Sequence, residues 1–261
     1  MAKKSQKQGN EENMEKAVAV RPQAQAPAQA QPVANPNVTS NDILIPKILV
    51  MQMMSKKVIA DEAKFGEFRD SLENNLLGSL KEPLEFIPIH MEKIWVEYEQ
   101  VPGQQQKKYK RTIPIVSDPG SPQYNDDLRY DDGNGLSRDR VMNFYVLLPK
   151  EMELGGIPYI ISFRRMSLRA GKALATQMYV KNLSARKDPW AVACLLGGDK
   201  TSNDKGTFAT LSVKPLRQAE LNEKELAKEW YQRITGGQVR VDNSDIIEES
   251  SETDVSEPTE F

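Results

Sequence analysis

The 261-residue sequence has very little cysteine or histidine, with one of each, Cys194 and His90. A single cysteine excludes an internal disulfide and is typical of a reducing compartment, so we expect a cytoplasmic protein. One histidine and one cysteine are too few for a Cys/His zinc site, and a Ser-His-Asp triad would depend on His90 alone. The sequence therefore predicts no catalytic residue, no metal and no cofactor.

Long apolar runs are also absent. No window reaches the ~20 apolar residues of a membrane-spanning helix, and the N-terminus lacks the apolar stretch of about 7–15 residues that marks a signal peptide. Hydrophobic residues make up 39% of the chain, below the usual share of about 45–50%. We expect no membrane partner, and we attribute the low apolar content to polar segments at both ends.

The two ends differ in composition from the middle. Residues 1–40 are rich in Gln, Ala and Pro and predict a disordered arm. Residues 237–261 predict a disordered acidic tail: from position 241 onward it has eight carboxylates, no Lys or Arg, and a final Phe261. The net charge is −2, so removing these eight carboxylates leaves +6 on the rest of the chain. A basic body with an acidic tail predicts a polyanionic partner.

Between these ends, residues 41–236 predict one domain that is mainly β with inserted helices. β-Branched and aromatic residues predict strands at 84–90, 93–98, 109–116, 141–148, 159–165, 190–196 and 208–213. Helical spacing of apolar residues predicts helices at 67–77, 167–181 and 222–234, and residues 118–139 predict a long loop. This pattern favours an OB-like antiparallel β-barrel over a doubly wound sheet.

Two motifs resemble ligand-binding loops but do not complete them. Gly197-Gly198-Asp199-Lys200-Thr201 ends like a phosphate-binding loop, yet it lacks a glycine directly before the lysine. We interpret it as a loop between strands. Asp131-Asp132-Gly133-Asn134-Gly135 resembles a calcium loop without the alternating acids or the closing glutamate, so the sequence predicts no calcium site.

Two basic clusters predict contacts with nucleic acid. Residues 159–187 hold seven bases and no acid, and residues 107–111 hold four bases around one tyrosine. Lys and Arg bind a phosphate backbone, while aromatic rings stack on unpaired bases. The predicted phosphate contacts are Arg164, Arg165, Arg169, Lys172, Lys181, Lys107, Lys108, Lys110 and Arg111. The predicted stacking residues are Tyr109, Trp95, Tyr98 and Tyr179. The alternative is that the bases form an ordinary solvated helix face and the rings belong to the core.

The acidic tail ending in Phe261, together with a β-rich basic body, resembles bacteriophage-type single-stranded DNA-binding proteins. In that family the tail usually finishes with several Asp, a Pro and a Phe, whereas here Thr259 and Glu260 separate Pro258 from Phe261. The resemblance implies an OB-type barrel that binds single-stranded DNA in the basic groove. It also implies that Asp254, Glu257, Glu260 and Phe261 recruit replication or recombination proteins.

The sequence thus predicts a non-catalytic protein that coats single-stranded DNA without sequence preference during replication, recombination or repair. As a viral protein it would act in the host cytoplasm, and it could form a homo-oligomer. Two alternatives remain open at this point. One is a structural protein of the virion or its packaging machinery, and the other is a strand-annealing recombinase.

Overall fold

The computed structural model describes residues 44–100, 107–128, 135–154, 156–203 and 206–239. Its strands are β1 (Ile48–Val50), β2 (Glu67–Asp70), β3 (Leu76–Ser79), β4 (Leu84–Gln100), β5 (Lys107–Pro114), β6 (Leu136–Leu147), β7 (Tyr159–Arg164), β8 (Val192–Asn203) and β9 (Gly206–Gln218). Its α-helices are α1 (Lys56–Ile59), α2 (Leu168–Thr176) and α3 (Leu221–Thr235), and a π-helical segment (Gln177–Asn182) extends α2. Short 3₁₀ turns occupy Pro149–Leu154 and Arg165–Ser167.

The strands form two antiparallel sheets. A small sheet has the order β1-β2-β3, and a large sheet has the order β7-β6-β4-β8-β9, with β5 also paired to β4. Neither sheet closes on itself within the described residues, so the predicted closed barrel is wrong. A barrel would pair its two end strands, whereas β9 is hydrogen-bonded to β8 alone among the strands. The prediction of a mainly β fold with inserted helices is confirmed.

The middle of the large sheet is buried on both faces, because β6 and the first part of β4 carry apolar residues at successive positions. On β6, Phe144 points into a cluster with residues of α2 and the small sheet. Its neighbour Tyr145 points to the other face, where Ala227 and Ile234 of α3 pack. The order of layers is therefore α3, the large sheet, and then α2 with the small sheet.

The longest strand, β4, connects the different parts of the large sheet. It pairs with β8 at Leu84–Phe86, with β6 from Ile87 to Glu99, and with β5 from Ile94 to Gln100. A β-bulge at Ile89 shifts the register against β6. The predicted strands 84–90 and 93–98 are thus one continuous element, since a bulge lets the chain continue without a turn.

Helix α3 is tied to the sheet at its N-terminus. Glu220 and Glu223 form a capping box, and Arg217 at the end of β9 makes ion pairs with Glu223 (2.5 Å) and with Glu85 on β4 (2.6 Å). Glu223 is buried, and its hydrogen bond to Arg217 outweighs desolvation and lowers its pKa. The helix start is therefore fixed to two strands by one guanidinium.

Three local predictions are wrong. Residues 67–77 form β2, a turn and the start of β3 instead of a helix, because Asp70 accepts hydrogen bonds from the backbone N–H groups of Leu72 and Glu73. Gly197 to Thr201 lie within β8 instead of in a loop. The loop predicted at 118–139 ends early, since β6 begins at Leu136.

Some predicted segments lie outside the described residues. These are the arm (1–40), most of the calcium-like motif (131–134), and the acidic tail except for residues 237–239. Within the described part of the chain, no helix is long and apolar enough to cross a membrane. The strands predicted at 109–116, 141–148, 159–165, 190–196 and 208–213, and the helices at 167–181 and 222–234, all correspond to described elements.

Candidate nucleic-acid interface

The outer side of α2 and the π-helical segment carries three of the predicted phosphate contacts. Ala170, Leu174 and Met178 recur every fourth residue and are buried in the core, which fixes the orientation of the helix. The opposite side is left to solvent. It presents the exposed side chains of Arg169, Lys172 and Lys181.

The turn after the π-helical segment adds two more exposed bases, Arg186 and Lys187. The turn is held by Asn182, whose Nδ2 donates to the carbonyl oxygen of Pro189 at 3.0 Å. Lys187 Nζ donates to Gln218 Oε1 at the end of β9 (3.1 Å). Together with the three bases on the helix, these residues form what we call the α2 basic surface: Arg169, Lys172, Lys181, Arg186 and Lys187.

The α2 basic surface has no acidic counterpart among the described residues. None of its five bases forms an ion pair with a carboxylate there, and Lys187 donates to an amide oxygen instead. The sequence between residues 159 and 187 also contains no acid. Uncompensated positive charge on an exposed surface attracts polyanions and releases their counterions on binding.

The two arginines that precede α2 have different surroundings. Arg165 is exposed, but its guanidinium pairs with Asp139 of β6 at 2.8 Å. Arg164 is half-buried at the end of β7, opposite Val141. The structure therefore separates these two predicted contacts from the unpaired bases on the helix.

The second predicted cluster lies on β5, and its members also separate. Lys108 and Lys110 are exposed, whereas Tyr109 is half-buried and its hydroxyl lies 3.1 Å from Thr112 Oγ1. Lys110 is the extra residue of a β-bulge, because Glu97 pairs with Arg111 and Tyr98 pairs with Tyr109. The side chain of Lys107 lies outside the described part of the chain.

Arg111 is bound to a buried carboxylate. Glu97 on β4 is 1% exposed and receives Arg111 Nε at 2.5 Å from β5 and Arg138 Nε at 2.6 Å from β6. Burial opposes ionisation, but the hydrogen bonds from the two arginines outweigh it and lower the pKa of Glu97. This row of three charges crosses three neighbouring strands and holds them in register.

Two of the four predicted stacking residues are buried. Trp95 is 1% exposed, its indole N–H donates to the carbonyl oxygen of Asn125 (2.9 Å), and Arg140 lies over its ring. Tyr98 is 7% exposed and packs with Ile94 and Val141. In this conformation neither ring presents a face to a nucleic-acid base.

Tyr179 is half-buried against the main core cluster. Burial raises its pKa to about 12, while a hydrogen bond to the backbone of Met91 on β4 opposes that rise.

The β4 residues that contact the two half-buried tyrosines are well separated. Met91 lies seven positions before Tyr98, which pairs with Tyr109. At about 3.3 Å per residue, the positions on β4 that Tyr179 and Tyr109 contact lie roughly 23 Å apart along the strand. These two tyrosines therefore lie at different parts of β4.

A cleft beside the α2 basic surface was not predicted from the sequence. It lies between the helix and β9 and is lined by Ala173, Leu174, Gln177, Lys181, Cys194, Val213 and Pro215. In the sequence, the small side chain of Ala173 lies one helical turn before Gln177. Such a pair is too common in helices to predict a cleft. Burial raises the pKa of the Cys194 thiol to about 12, so this group is inert as a nucleophile.

The predicted partner-binding residues Asp254, Glu257, Glu260 and Phe261 lie outside the described residues.

A family model described as Pam3 phage gp34-like protein matches residues 12–240, which is most of the chain. Searches of curated proteins and of solved structures found no match.

Proposed function

The chain belongs to the Pam3 phage gp34-like family, and we propose that it serves the phage as a single-stranded DNA-binding protein. In this proposal it coats single strands without sequence preference during replication, recombination or repair, and it performs no catalysis. The phage affiliation fits such a role, because phages that replicate their own DNA must protect single-stranded intermediates.

The observation that carries the proposal is the α2 basic surface. Five exposed bases follow one another along a helix and its C-terminal turn, and none of them has a carboxylate partner within the described residues. A surface of this kind binds a phosphate backbone through accumulated contacts, whatever the base sequence. The helix is anchored by buried residues on its other side, so its bases keep a fixed spacing.

The β5 cluster contributes less to the proposed interface. Arg111 is exposed but bound to Glu97, which leaves Lys108 and Lys110 as the described bases of that strand that are exposed and have no carboxylate partner. We place the main DNA contacts on Arg169, Lys172, Lys181, Arg186 and Lys187, and treat Lys108 and Lys110 as a secondary contact for longer strands. Recruitment of replication or recombination proteins by the tail and Phe261 stays a prediction.

The test is a fluorescence-anisotropy titration of the full chain with a labelled oligonucleotide, as single strand and as duplex, over a range of salt concentrations. We expect tighter binding of the single strand and a linear fall of log K with log salt. A triple variant, Arg169→Gln, Lys172→Gln and Lys181→Gln, removes three phosphate contacts. Its salt slope should be smaller by about 2, since each contact contributes roughly 0.7 for single strands.

The matched control is Lys56→Gln, Lys150→Gln and Lys228→Gln, which removes the same charge from exposed positions elsewhere. This control should keep both the affinity and the salt slope of the wild type. Equal affinity for single strand and duplex would overturn the proposal and favour the alternative of a structural virion or packaging protein. Equal loss in both triple variants would show that net charge, and not the α2 basic surface, accounts for binding.

A further inference from the structure

The cleft between α2 and β9 has an apolar interior of limited size. Leu174 and Cys194 are each 1% exposed and form its floor, and Val213 and Pro215 of β9 form one wall. Its volume is about 190 Å³, below the roughly 300–1,000 Å³ of pockets for drug-sized ligands and well above the ~30 Å³ of one water. The cleft therefore fits a small planar group better than a whole cofactor.

The polar rim of the cleft has a defined hydrogen-bonding character. The carbonyl oxygen of Pro189 can only accept, so Asn182 turns its Nδ2 to Pro189 and its Oδ1 to Gln177. Gln177 must then donate its Nε2 to Asn182, at 2.9 Å. Its Oε1 is left without a partner among the described residues, so the rim offers one free acceptor on a side chain that is held in place.

Positive charge stands at both ends of the cleft's helical wall. Arg169, Ala173, Gln177 and Lys181 follow one another at four-residue spacing and form one row on the helix. Ala173, Gln177 and Lys181 line the cleft, and Arg169 lies one turn before them. A strand that runs along this row would meet a cation, the apolar cleft and then a second cation.

We propose that this cleft takes one unstacked base of the bound strand, with phosphates further along the strand on Arg169 and Lys181. The inference rests on the proposed function and adds to it a site for a base. A nucleobase is planar and apolar on its faces, and the exocyclic amino group of cytosine, adenine or guanine could donate to Gln177 Oε1. Trp95 and Tyr98 are buried, so the cleft supplies the apolar base contact that those rings do not offer.

The site also gives a physical reason for preferring single strands. In a duplex each base is stacked and paired, so entering the cleft would require extrusion of the nucleotide. A single strand can turn one base out at little cost. The cleft therefore adds discrimination that the phosphate contacts of the α2 basic surface do not have.

The test fills the cleft. Ala173 is exposed, so Ala173→Trp places a ring in the cleft without entering the core. We expect affinity for an oligonucleotide of mixed sequence to fall about 10-fold, which is the order of one stacked base, with an unchanged salt slope. Gln232→Trp, which adds the same ring at an exposed position on α3 outside the cleft lining, should keep wild-type affinity.

A second measurement compares two oligonucleotides on the wild-type protein, so its result does not depend on how a variant folds. A strand with abasic sites should bind the wild type about 10-fold more weakly than the intact strand does. As a cross-check, Ala173→Trp should bind the intact and the abasic strand with the same affinity. If the wild type binds both strands equally, or if Ala173→Trp keeps full affinity for the intact strand, the base site is wrong while the proposed function stands. If the wild type binds no strand, the proposed function itself fails.

Discussion

The side-chain amide of Gln52 hydrogen-bonds both backbone groups of Ala209 on β9. Ala209 N–H donates to Gln52 Oε1 at 2.8 Å, and Gln52 Nε2 donates to the carbonyl oxygen of Ala209 at 3.5 Å. Two residues further along β9, the backbone N–H of Leu211 donates to Ser167 Oγ. Side chains thus occupy positions where a neighbouring strand would pair, and the open edge of the large sheet is covered.

Replacing Gln52 with alanine should expose this edge. We expect Gln52→Ala to lower the free energy of unfolding by about 1–2 kcal/mol, because it leaves the backbone of Ala209 without partners. We also expect more self-association, since an uncovered edge strand pairs with other chains. Urea unfolding and light scattering after size exclusion measure the two effects. Gln123→Ala, at an exposed loop position, should change neither, and a Gln52→Ala protein indistinguishable from it would contradict this role.

Glu97 is expected to make stability depend on pH in the acid range. Its pKa is lowered in the folded protein, because the hydrogen bonds from Arg111 and Arg138 outweigh the opposing effect of burial. The stabilisation is therefore complete above the unfolded pKa of about 4.3 and is lost as pH falls through the lower folded pKa. Glu97→Gln removes the negative charge to which the Arg111 and Arg138 guanidiniums both donate.

We expect Glu97→Gln to lower the free energy of unfolding at pH 7 by about 3 kcal/mol. This is the low end of the cost of breaking a buried ion pair, because the Arg111 side chain is largely exposed. The difference from the wild type should shrink when the same urea titrations are made below pH 4. Glu225→Gln on the exposed side of α3 serves as the control. A difference that stays constant from pH 7 to pH 3 would show that Glu97 is not held ionised by the arginines.

Gly171 sits where α2 meets the core most closely. A Cβ at this position would lie 2.9 Å from Phe163 Cβ and 3.3 Å from Met142 Sδ. Alanine in place of glycine favours a helix by about 1 kcal/mol, but overpacking a core typically costs about 1–3 kcal/mol. Because Phe163 is fully buried, we expect the overpacking to dominate and Gly171→Ala to be destabilising by about 1 kcal/mol in thermal unfolding. Thr176→Ala on the exposed side of the same helix should be neutral or stabilising.

The strands of the large sheet were predicted from sequence because their signal is local. Runs such as Val141 to Leu147 combine β-branched and aromatic residues over the length of one strand. The segment at 67–77 has helical spacing at Phe68, Leu72 and Leu76, but the turn chemistry of Asp70 decides its structure. Gly198 has the composition of a loop around it, yet it lies in β8, where the lack of a side chain lets the backbone of Thr210 approach within 2.3 Å of the position that a Cβ would take.

The candidate site was only partly predictable, for a different reason. The acid-free composition around α2 indicated a basic surface, because lack of nearby acids can be counted in the sequence. The sequence does not show in the same way which arginines form ion pairs with acids that are far away along the chain. Arg111 and Arg138 meet Glu97 from two different strands, and Trp95 receives Arg140 from β6. These contacts depend on strand order and register, which no local pattern specifies.

The shared role of β4 has a consequence for how the chain folds. Its pairing with β5 and β6 joins segments that are close along the chain, so this part can form early, with β4 between its two partners. Its first residues, Leu84–Phe86, pair with β8 about 110 positions later. Closing so long a loop is slow. We therefore expect the first residues of β4 to stay unpaired in a nascent chain until β8 has left the ribosome. During that time the neighbouring Ile87 and Ile89 would be accessible to chaperones.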